Sequence, residues 1–313
     1  MEVRVVTELW KREPPRHLTR VAGGWELQLG ELPVDRLEYE LELTFSDGSR
    51  EWRTDPRAPR VEAPFGPKSV LVHERYRAPS WVTQWAPHGK VEPLEGAFVG
   101  QLWTAAGLAP TQPAPLLVAH DGPEYARFSS LLHFLEVAVA KKKAPPLRAV
   151  LLAPRARNDD YSAAPAYADL LAHEVLPALA TRAPCTMRFG LGASLGALAL
   201  LHAHRRHPGL FHGLALQSGS FFQHELDVHE RGFPHFARID AFVREVAATR
   251  GAPVPVVISC GTGEENLANN RAMAQVLEAQ QYPVEFVTAR DGHTWTCWRD
   301  TLEASLGRLL GLG

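Results

Sequence analysis

The chain has 313 residues, of which 45% are hydrophobic and 22% are charged, and its formal net charge is −2. This balance is typical of a globular protein and excludes a general electrostatic attraction to nucleic acid or to a membrane surface. The three cysteines are odd in number and widely spaced, which argues against a disulfide framework and against a zinc site with four ligands. The length allows one large domain and a smaller module.

The first 66 residues predict a small antiparallel β module. Apolar and polar residues alternate through 25–29 and 37–45, as they do in strands with one buried face, and Asp47-Gly48 suits a hairpin turn. The segment 57–69 is rich in proline and glycine, which is typical of a linker. We therefore predict a β module of the sandwich type over 1–66 and a second domain over 67–313.

The sequence offers no segment for export or for crossing a membrane. Residues 1–16 lack the apolar core of a signal peptide, and no later run approaches the roughly 20 apolar residues that span a bilayer. We expect a cytoplasmic protein without a membrane or nucleic-acid partner.

The rest of the chain predicts alternating strands and helices. Residues 80–89 are expected to form a loop and 96–107 to contain one strand. Helices are predicted over 125–140 and 167–179, the second from an apolar stripe at helical spacing. Short apolar runs without polar alternation, typical of strands covered on both faces, lie at 115–119, 148–153, 187–191, 213–217, 255–260 and 284–289. This order predicts an α/β fold with a mostly parallel sheet and helices on both faces.

A serine lies on the turn between one of these strands and an alanine-rich helix. The stretch RFGLGASLGALALLHA, residues 188–203, places Ser194 between Gly192 and Gly196. A strand, a sharp G-x-S-x-G turn and a helix form the nucleophile elbow, in which the serine takes a strained conformation and its Oγ projects above the sheet. We predict Ser194 as a nucleophile, with the N–H of Leu195 as one donor to an oxyanion.

Two alternatives to the nucleophile stay open. Gly190, Gly192 and Gly196 could form a dinucleotide-binding turn, but that motif needs an acidic residue at the end of the next strand, where this chain has Gln217-Ser218. The turn could also be purely structural, with small residues serving close packing.

The partners of a nucleophilic serine are a base and an acid that orients it. On this fold they follow the serine in the order acid, then histidine. Glu264 and Glu265 come just past the strand at 255–260, and His293 comes just past the strand at 284–289. We predict His293 as the base and favour Glu264 as the acid because it lies nearer its strand end, with Glu265 as the alternative.

Other residues complete the predicted site. The loop 120–124 should supply a second oxyanion donor, from Gly122 or Glu124, since Pro123 has no N–H. Arg157 could hold an acidic part of the substrate, as could Arg155, although both could instead pair with neighbouring aspartates.

A metal site is not expected. His202, His204 and His207 lie in the helix after the elbow, but neither an H-E-x-x-H pattern nor an added carboxylate ligand accompanies them.

Several motifs in one order give the chain a family resemblance. The C-terminal 200 residues or so resemble the bacterial enterochelin esterase group, within the esterase D type of α/β-hydrolases. The similar stretches are HDGPEYA at 120–126, R-x-x-D-Y at 157–161, HEVLPAL at 173–179, the long segment 192–222, GTGEENLANNRAM at 261–273 and DGHTWTCWRDTL at 291–302. The N-terminal module is similar to the immunoglobulin-like early-set domain that precedes the hydrolase domain in this group.

The resemblance implies a serine esterase without a cofactor, acting on a small-molecule ester through Ser194, His293 and Glu264 or its neighbour. Asp121 and Trp295 lie in the similar stretches, and we expect them to contact substrate. In the enterochelin esterases the substrate is a ferric catecholate trilactone. Two alternative functions remain: an acyltransferase of the mycolyltransferase type with the same triad, and a glycan-binding protein without catalysis.

Overall fold

The computed structural model describes residues 1–10, 16–94, 96 and 98–311. Parts of two sequence predictions, residues 11–15 of the N-terminal stretch and residue 97 of the strand segment 96–107, lie outside these ranges. Within the described residues no helix combines the length and the apolar character needed to cross a membrane.

The N-terminal module consists of antiparallel strands. They are β1 (Glu2–Val6), β2 (Arg16–His17), β3 (Thr19–Val21), β4 (Gly24–Glu26), β5 (Arg36–Thr44), β6 (Arg50–Arg53), β7 (Arg60–Val61) and β8 (Lys68–Val72). The long strand β5 joins the module together, because β1 pairs along one edge while β6 and β8 share the other. Strands β3 and β4 form a separate ribbon. The predicted domain boundary near residue 66 precedes β8.

The second part of the chain forms an eight-stranded sheet. Its strands are β9 (Lys90–Leu94), β10 (Val99–Thr104), β11 (Ala114–His120), β12 (Arg148–Ala153), β13 (Cys185–Ala193), β14 (Gly213–Gln217), β15 (Val256–Gly261) and β16 (Val284–Ala289). The order across the sheet is β16-β15-β14-β13-β11-β12-β10-β9. Strands β11 to β16 run parallel, and β10 and β9 add an antiparallel edge.

Helices cover both faces of this sheet. They are α1 (Gly122–Phe128), α2 (Leu131–Ala140), α3 (Arg157–Tyr161), α4 (Pro165–Leu170), α5 (Leu176–Ala180), α6 (Leu195–Arg206), α7 (Phe236–Ala248), α8 (Leu267–Ala279), α9 (Trp295–Asp300) and α10 (Leu302–Leu310), with a π-helical turn at Leu171–Val175 joining α4 to α5. One apolar core lies under α4, α6, α7 and α8, and a second lies under α1, α2 and α10. The predicted fold class, a mostly parallel sheet with helices on both faces after an antiparallel module, is confirmed.

The predicted helix over 125–140 is interrupted. Helix α1 ends at Phe128 and α2 begins at Leu131, and Ser130 between them has a φ of 51°. A left-handed conformation at a non-glycine residue cannot continue a right-handed helix. The break turns α2 away from α1, so that α1 remains a short helix next to the end of β11.

Candidate active site

The predicted nucleophile lies on a strained turn at the centre of the sheet. Ser194 follows β13 and precedes α6, and its φ of 55° and ψ of −124° lie outside the regions that a serine ordinarily adopts. A Cβ added to Gly192 would lie 2.6 Å from the carbonyl carbon and oxygen of Gly196, so the turn closes only around a glycine. The Ser194 N–H donates to the carbonyl of Gln217 at 2.9 Å, which ties the turn to β14.

Glu264 and His293 are brought together by the loops that follow β15 and β16. His293 Nδ1 lies 2.8 Å from Glu264 Oε2. The other carboxylate oxygen, Oε1, accepts from the Gly261 N–H and from the Ser218 hydroxyl, both at 2.7 Å. With three donors around it and no exposed side-chain surface, the Glu264 carboxylate is fixed in place. The alternative acid, Glu265, lies instead 3.4 Å from the ring of His229.

Ser194 and His293 line the same pocket. This pocket has a volume of about 170 Å³ and is also lined by Leu195, Ser220, Phe222, Glu230, Phe233, Glu265 and Asn266. Ser194 Oγ lies 3.1 Å from Ser220 Oγ, and among the described residues that hydroxyl, rather than His293, is its hydrogen-bond partner. Catalytic hydrogen bonds are often long or poorly aligned in unliganded enzymes. Either serine can be the donor in this contact, so Ser194 Oγ can accept from Ser220 and keep its own proton free to donate.

The two predicted oxyanion donors both begin helices. Leu195 is the first residue of α6 and Gly122 is the first residue of α1. The first N–H groups of a helix have no partner within the helix and carry the positive end of its dipole. A Cβ on Gly122 would lie 2.3 Å from the Cα of Leu151, so α1 starts directly against strand β12. Whether Gly122 and Leu195 act as donors stays a prediction.

His120 ties the loop after β11 to the nucleophile helix. Its ring is fully buried, and burial lowers its pKa to about 4, so the ring is neutral at pH 7 and carries one N–H. Nδ1 lies 3.0 Å from the Gly196 carbonyl, which can only accept, so Nδ1 carries the proton. Nε2 then accepts from the Tyr167 hydroxyl at 2.9 Å, and the ring stacks on Tyr161 at 4.7 Å.

The three residues predicted to contact substrate are not among those that line the pocket. The carboxylate of Asp121, which is 3% exposed, accepts three hydrogen bonds from Arg157 at 2.7 to 3.0 Å. Trp295 packs edge-on against Tyr125 and Trp298, with ring centroids at 5.2 and 4.7 Å. Their substrate contacts stay predictions, whereas the structure gives Asp121 and Arg157 a role in fixing the loop after β11.

The three histidines of residues 202–207 have separate partners, and His207 lies just past the end of α6 and not within it. His202 packs on Phe242, and His204 Nε2 lies 2.8 Å from the Ala252 carbonyl. His207 Nε2 lies 2.7 Å from Asp169, and potential ligand atoms of His173, His207 and Asp169 lie within 4.8 Å of one another. The guanidinium of Arg206 also binds both carboxylate oxygens of Asp169, which places a positive charge where a cation would have to sit.

The sequence did not lead us to predict the residues that hold the Glu264 carboxylate in place. Ser218 has a φ of 49°, donates to Glu264 and accepts from Trp298 Nε1 at 3.0 Å. Trp298 in turn packs edge-on against the His293 ring at 5.0 Å. The position of Ser218 and Ser220 directly after the apolar run 213–217, at the carboxyl end of a predicted strand, was the available signal.

Comparisons with known proteins give the family and the fold. Residues 104–309 match the model of the family described as "Putative esterase". The ferric enterobactin esterase of Salmonella typhimurium superposes with a TM-score of 0.79 at 18% identity, over 99% of this chain and 88% of that one. The enterobactin esterase of Shigella flexneri, solved in the presence of enterobactin, gives 0.78 at 19% identity over the same shares. A ferulic acid esterase gives 0.59 at 16% identity over 72% of this chain and 98% of its own.

No curated protein sequence matches the chain significantly. The solved structures are less than 25% identical to it, and they therefore establish the fold. The family model, in contrast, covers most of the chain and includes every strand from β11 to β16 together with the turn that carries Ser194. The chain accordingly belongs to this esterase family and is a carboxylic ester hydrolase.

Proposed function

We propose that the protein hydrolyses its ester through a triad of Ser194, His293 and Glu264. The observation that carries the proposal is the 2.8 Å contact between His293 Nδ1 and Glu264 Oε2, at the edge of a pocket that Ser194 shares. A serine hydroxyl is a weak nucleophile until a base removes its proton, and the base must be held in the correct tautomer. Glu264 accepts a hydrogen bond from the Nδ1–H of His293, which leaves Nε2 free to act as the base.

The reaction then follows two steps of acyl transfer. Ser194 Oγ attacks the ester carbonyl while its proton passes to His293 Nε2, and the N–H groups of Leu195 and Gly122 bind the oxyanion that forms. The tetrahedral intermediate collapses, the alcohol leaves with the proton from His293, and the acyl group stays on Ser194. Water, activated by His293, attacks the acyl-enzyme and releases the acid. These steps use only side chains and backbone groups of this chain.

Replacing the nucleophile tests the triad. Ser194→Ala should lower kcat for p-nitrophenyl acetate by about a millionfold, the loss expected when the nucleophile of a triad is removed. A fluorophosphonate should label the wild-type chain at one residue and leave Ser194→Ala unlabelled.

The matched control is Ser46→Ala, which removes a hydroxyl from an exposed turn of the N-terminal module. It should retain wild-type kcat and fluorophosphonate labelling, and all three chains should show the same thermal unfolding midpoint. Turnover of Ser194→Ala at the wild-type rate would rule out the triad.

A cyclic siderophore ester is the substrate class that we favour. The superposition with the enterobactin esterases includes the N-terminal module and extends over 99% of this chain, whereas the ferulic acid esterase matches 72%. A module that packs beside the active site is therefore shared with enzymes of that substrate class.

A comparison of initial rates with four esters tests this choice of substrate class. Initial rates should be measured with ferric enterobactin, iron-free enterobactin, ethyl ferulate and p-nitrophenyl butyrate at equal active-site concentration. We expect the highest kcat/KM for one of the two enterobactin forms, and a higher value for ethyl ferulate would contradict it. Chromatography of the products, in the presence of added sugar or glycerol, separates hydrolysis from acyl transfer, because only a transferase yields new esters.

A further inference from the structure

The N-terminal module contacts both loops that carry the acid and the base. The Asp35 N–H donates to the Arg290 carbonyl at 2.6 Å, and the Arg290 side chain donates to Asp35 at 2.9 Å and to the Leu32 carbonyl at 2.9 Å. On the acid loop, the Thr262 hydroxyl donates to the Pro33 carbonyl. One short segment, residues 32–38, thus touches the chain on the N-terminal side of Glu264 and of His293.

A buried ion network lies at the centre of this contact. Arg36, which is 6% exposed, reaches Asp291 Oδ2 at 3.4 Å and Glu38 Oε1 at 3.3 Å. The Thr296 hydroxyl, from the helix that follows His293, donates to Glu38 at 3.1 Å. Buried charges are stable only when they are paired and hydrogen-bonded. Removing the Arg36 guanidinium would leave Glu38 and Asp291 buried without the cation that both contact.

Asp291 links this network to the catalytic loops. Its Oδ1 accepts from the Gly292 N–H at 2.7 Å, next to His293, and its backbone carbonyl accepts from the Gly263 N–H at 3.1 Å, next to Glu264. The position of Asp291 therefore bears on both members of the acid and base pair. Asp291 also comes two residues before His293, so little backbone freedom separates them.

Apolar packing adds a second contact. A Cβ placed on Gly263 would lie 2.6 Å from Val34 Cγ1 and 2.8 Å from Leu9 Cδ1, both side chains of the N-terminal module. Val34 is 5% exposed and belongs to a small apolar cluster with Leu37. The module is therefore in direct van der Waals contact with the residue that precedes Glu264.

We propose that the N-terminal module is a positioning element of the active site, with Arg36 as the positioning residue that holds the loops of Glu264 and His293 in register. The inference rests on the proposed triad. In the absence of this contact, Ser194 and the oxyanion side keep all their support from the large sheet, whereas the loops of Glu264 and His293 keep Ser218 and Trp298 but lose the contacts that the module supplies. The module thus acts on kcat, through the alignment of His293, and leaves substrate affinity largely unchanged.

The test compares turnover per active site. Three variants are assayed with p-nitrophenyl acetate, and the concentration of active sites in each is first titrated with a fluorophosphonate. They are Arg36→Met, Arg36→Lys, and a triple variant in which all three residues of the network are uncharged, namely Arg36→Met with Glu38→Gln and Asp291→Asn. We expect kcat per titrated site to fall tenfold or more in Arg36→Met with KM within twofold, and Arg36→Lys to recover most of it. The triple variant removes the buried charges and should fold, yet it should keep a low kcat because the ion pairs between residue 36 and residues 38 and 291 are gone, while the backbone contacts of residues 32–35 remain.

The control is Arg50→Met, which removes an arginine that pairs with Glu42 within the same module but touches neither loop. It should leave kcat per site at the wild-type value. Wild-type kcat per site in the triple variant would overturn the proposal, as would wild-type kcat in a folded Arg36→Met. Labelling of the wild type but not of Ser194→Ala establishes the nucleophile separately, so failure of the triad is distinguished from failure of this inference.

A packing contact supplies an independent measurement. Gly263→Ala should lower kcat per site, because the added methyl group pushes against Val34 and Leu9. Adding Val34→Ala and Leu9→Ala removes both blocking atoms and should restore most of the loss. Equal activity of the single and triple variants would contradict the packing contact, because it would mean that the alanine acts on the loop alone.

Discussion

The two sides of Ser194 are held in different ways. On the oxyanion side, the loop 120–122 is fixed by groups of the same domain: the fully buried rings of His120 and Tyr161, the partly buried Tyr167, and the ion pair of Arg157 with Asp121. On the acid and base side, the loops around Glu264 and His293 depend on Ser218 and on contacts with the N-terminal module. The difference teaches that the contacts of one half of the site lie within the large domain, whereas those of the other half come partly from the N-terminal module, on which we propose that it depends.

The largest effect is expected from a change in the predicted acid, Glu264. Glu264→Gln should lower kcat by about ten-thousandfold, because a glutamine in place of the carboxylate favours the wrong tautomer of the catalytic histidine. The matched change Glu265→Gln should cost far less, since Glu265 approaches His229 and not His293. Steady-state kinetics with p-nitrophenyl acetate make the comparison. A greater loss from Glu265→Gln than from Glu264→Gln would reassign the acid.

An effect of intermediate size on kcat is expected from the ion pair between Arg157 and Asp121, which holds the loop after β11. Arg157→Lys breaks the multiple contact with the buried Asp121 carboxylate, and a shift of about 1 Å in an oxyanion donor can cost a hundredfold in rate. We expect kcat to fall tenfold to a hundredfold with the same change for neutral and anionic esters. The control Arg155→Lys, at an exposed position, should stay within twofold of wild type.

The same variant tests the earlier prediction that Arg157 contacts substrate. A rise in KM confined to anionic esters, with kcat preserved, would show that Arg157 binds the substrate and does not merely hold Asp121.

The smallest expected effect is a pH dependence of the free energy of unfolding, which His120 on the oxyanion side should cause. The pKa of His120 lies at about 4 in the folded chain and near 6.5 in the unfolded chain. Between these values the unfolded state binds more protons, so the contribution of His120 to the free energy of unfolding is present above pH 6.5 and is lost as the pH falls toward 4. The full loss is about 3 kcal/mol.

His120→Gln isolates this contribution. Asp291, whose pKa burial raises to about 7, changes stability in the opposite direction, but it is present in both chains and cancels in the difference. Urea unfolding at pH 7, 5.5 and 4.5 should therefore show the gap between wild type and His120→Gln narrowing as the pH falls. A constant gap would mean that His120 is not held neutral.

The parallel part of the sheet was predictable from the sequence because its strands are short apolar runs, which are buried on both faces in the central strands β12 and β14 and half-buried in the edge strand β16. The apolar runs 148–153, 213–217 and 284–289 coincide with β12, β14 and β16 to the residue. The break at Ser129-Ser130 was not predictable, because its left-handed backbone is stabilised by tertiary contacts such as the hydrogen bond from Ser129 to the Trp295 carbonyl. Local patterns indicate helix there, and contacts distant in sequence override them.

The residues of the candidate site also differ in whether the sequence alone could predict them. Residues that directly follow strands, such as Glu264 and His293, could be predicted because a parallel sheet gathers its strand ends at one edge. The functions of Asp121 and Arg36 could not be predicted in this way. Each depends on a charged partner from a distant part of the chain, Arg157 in one case and Asp291 in the other, and spacing along the sequence gives no information about such pairs.

The strand order of the large sheet gives the strand before His293 fewer neighbours than the strand before Ser194. Among the described residues, strand β16, which leads to His293, is the last strand of the sheet and pairs with β15 alone, whereas β13, which leads to Ser194, lies between two parallel neighbours. If the module has the positioning role that we propose, a gene rearrangement that separated the first 66 codons from the rest would leave Ser194 supported by the sheet and would remove the contacts of Asp35 and Arg36 with the loop before His293. The two parts of the chain are therefore expected to be inherited together, as one unit of selection.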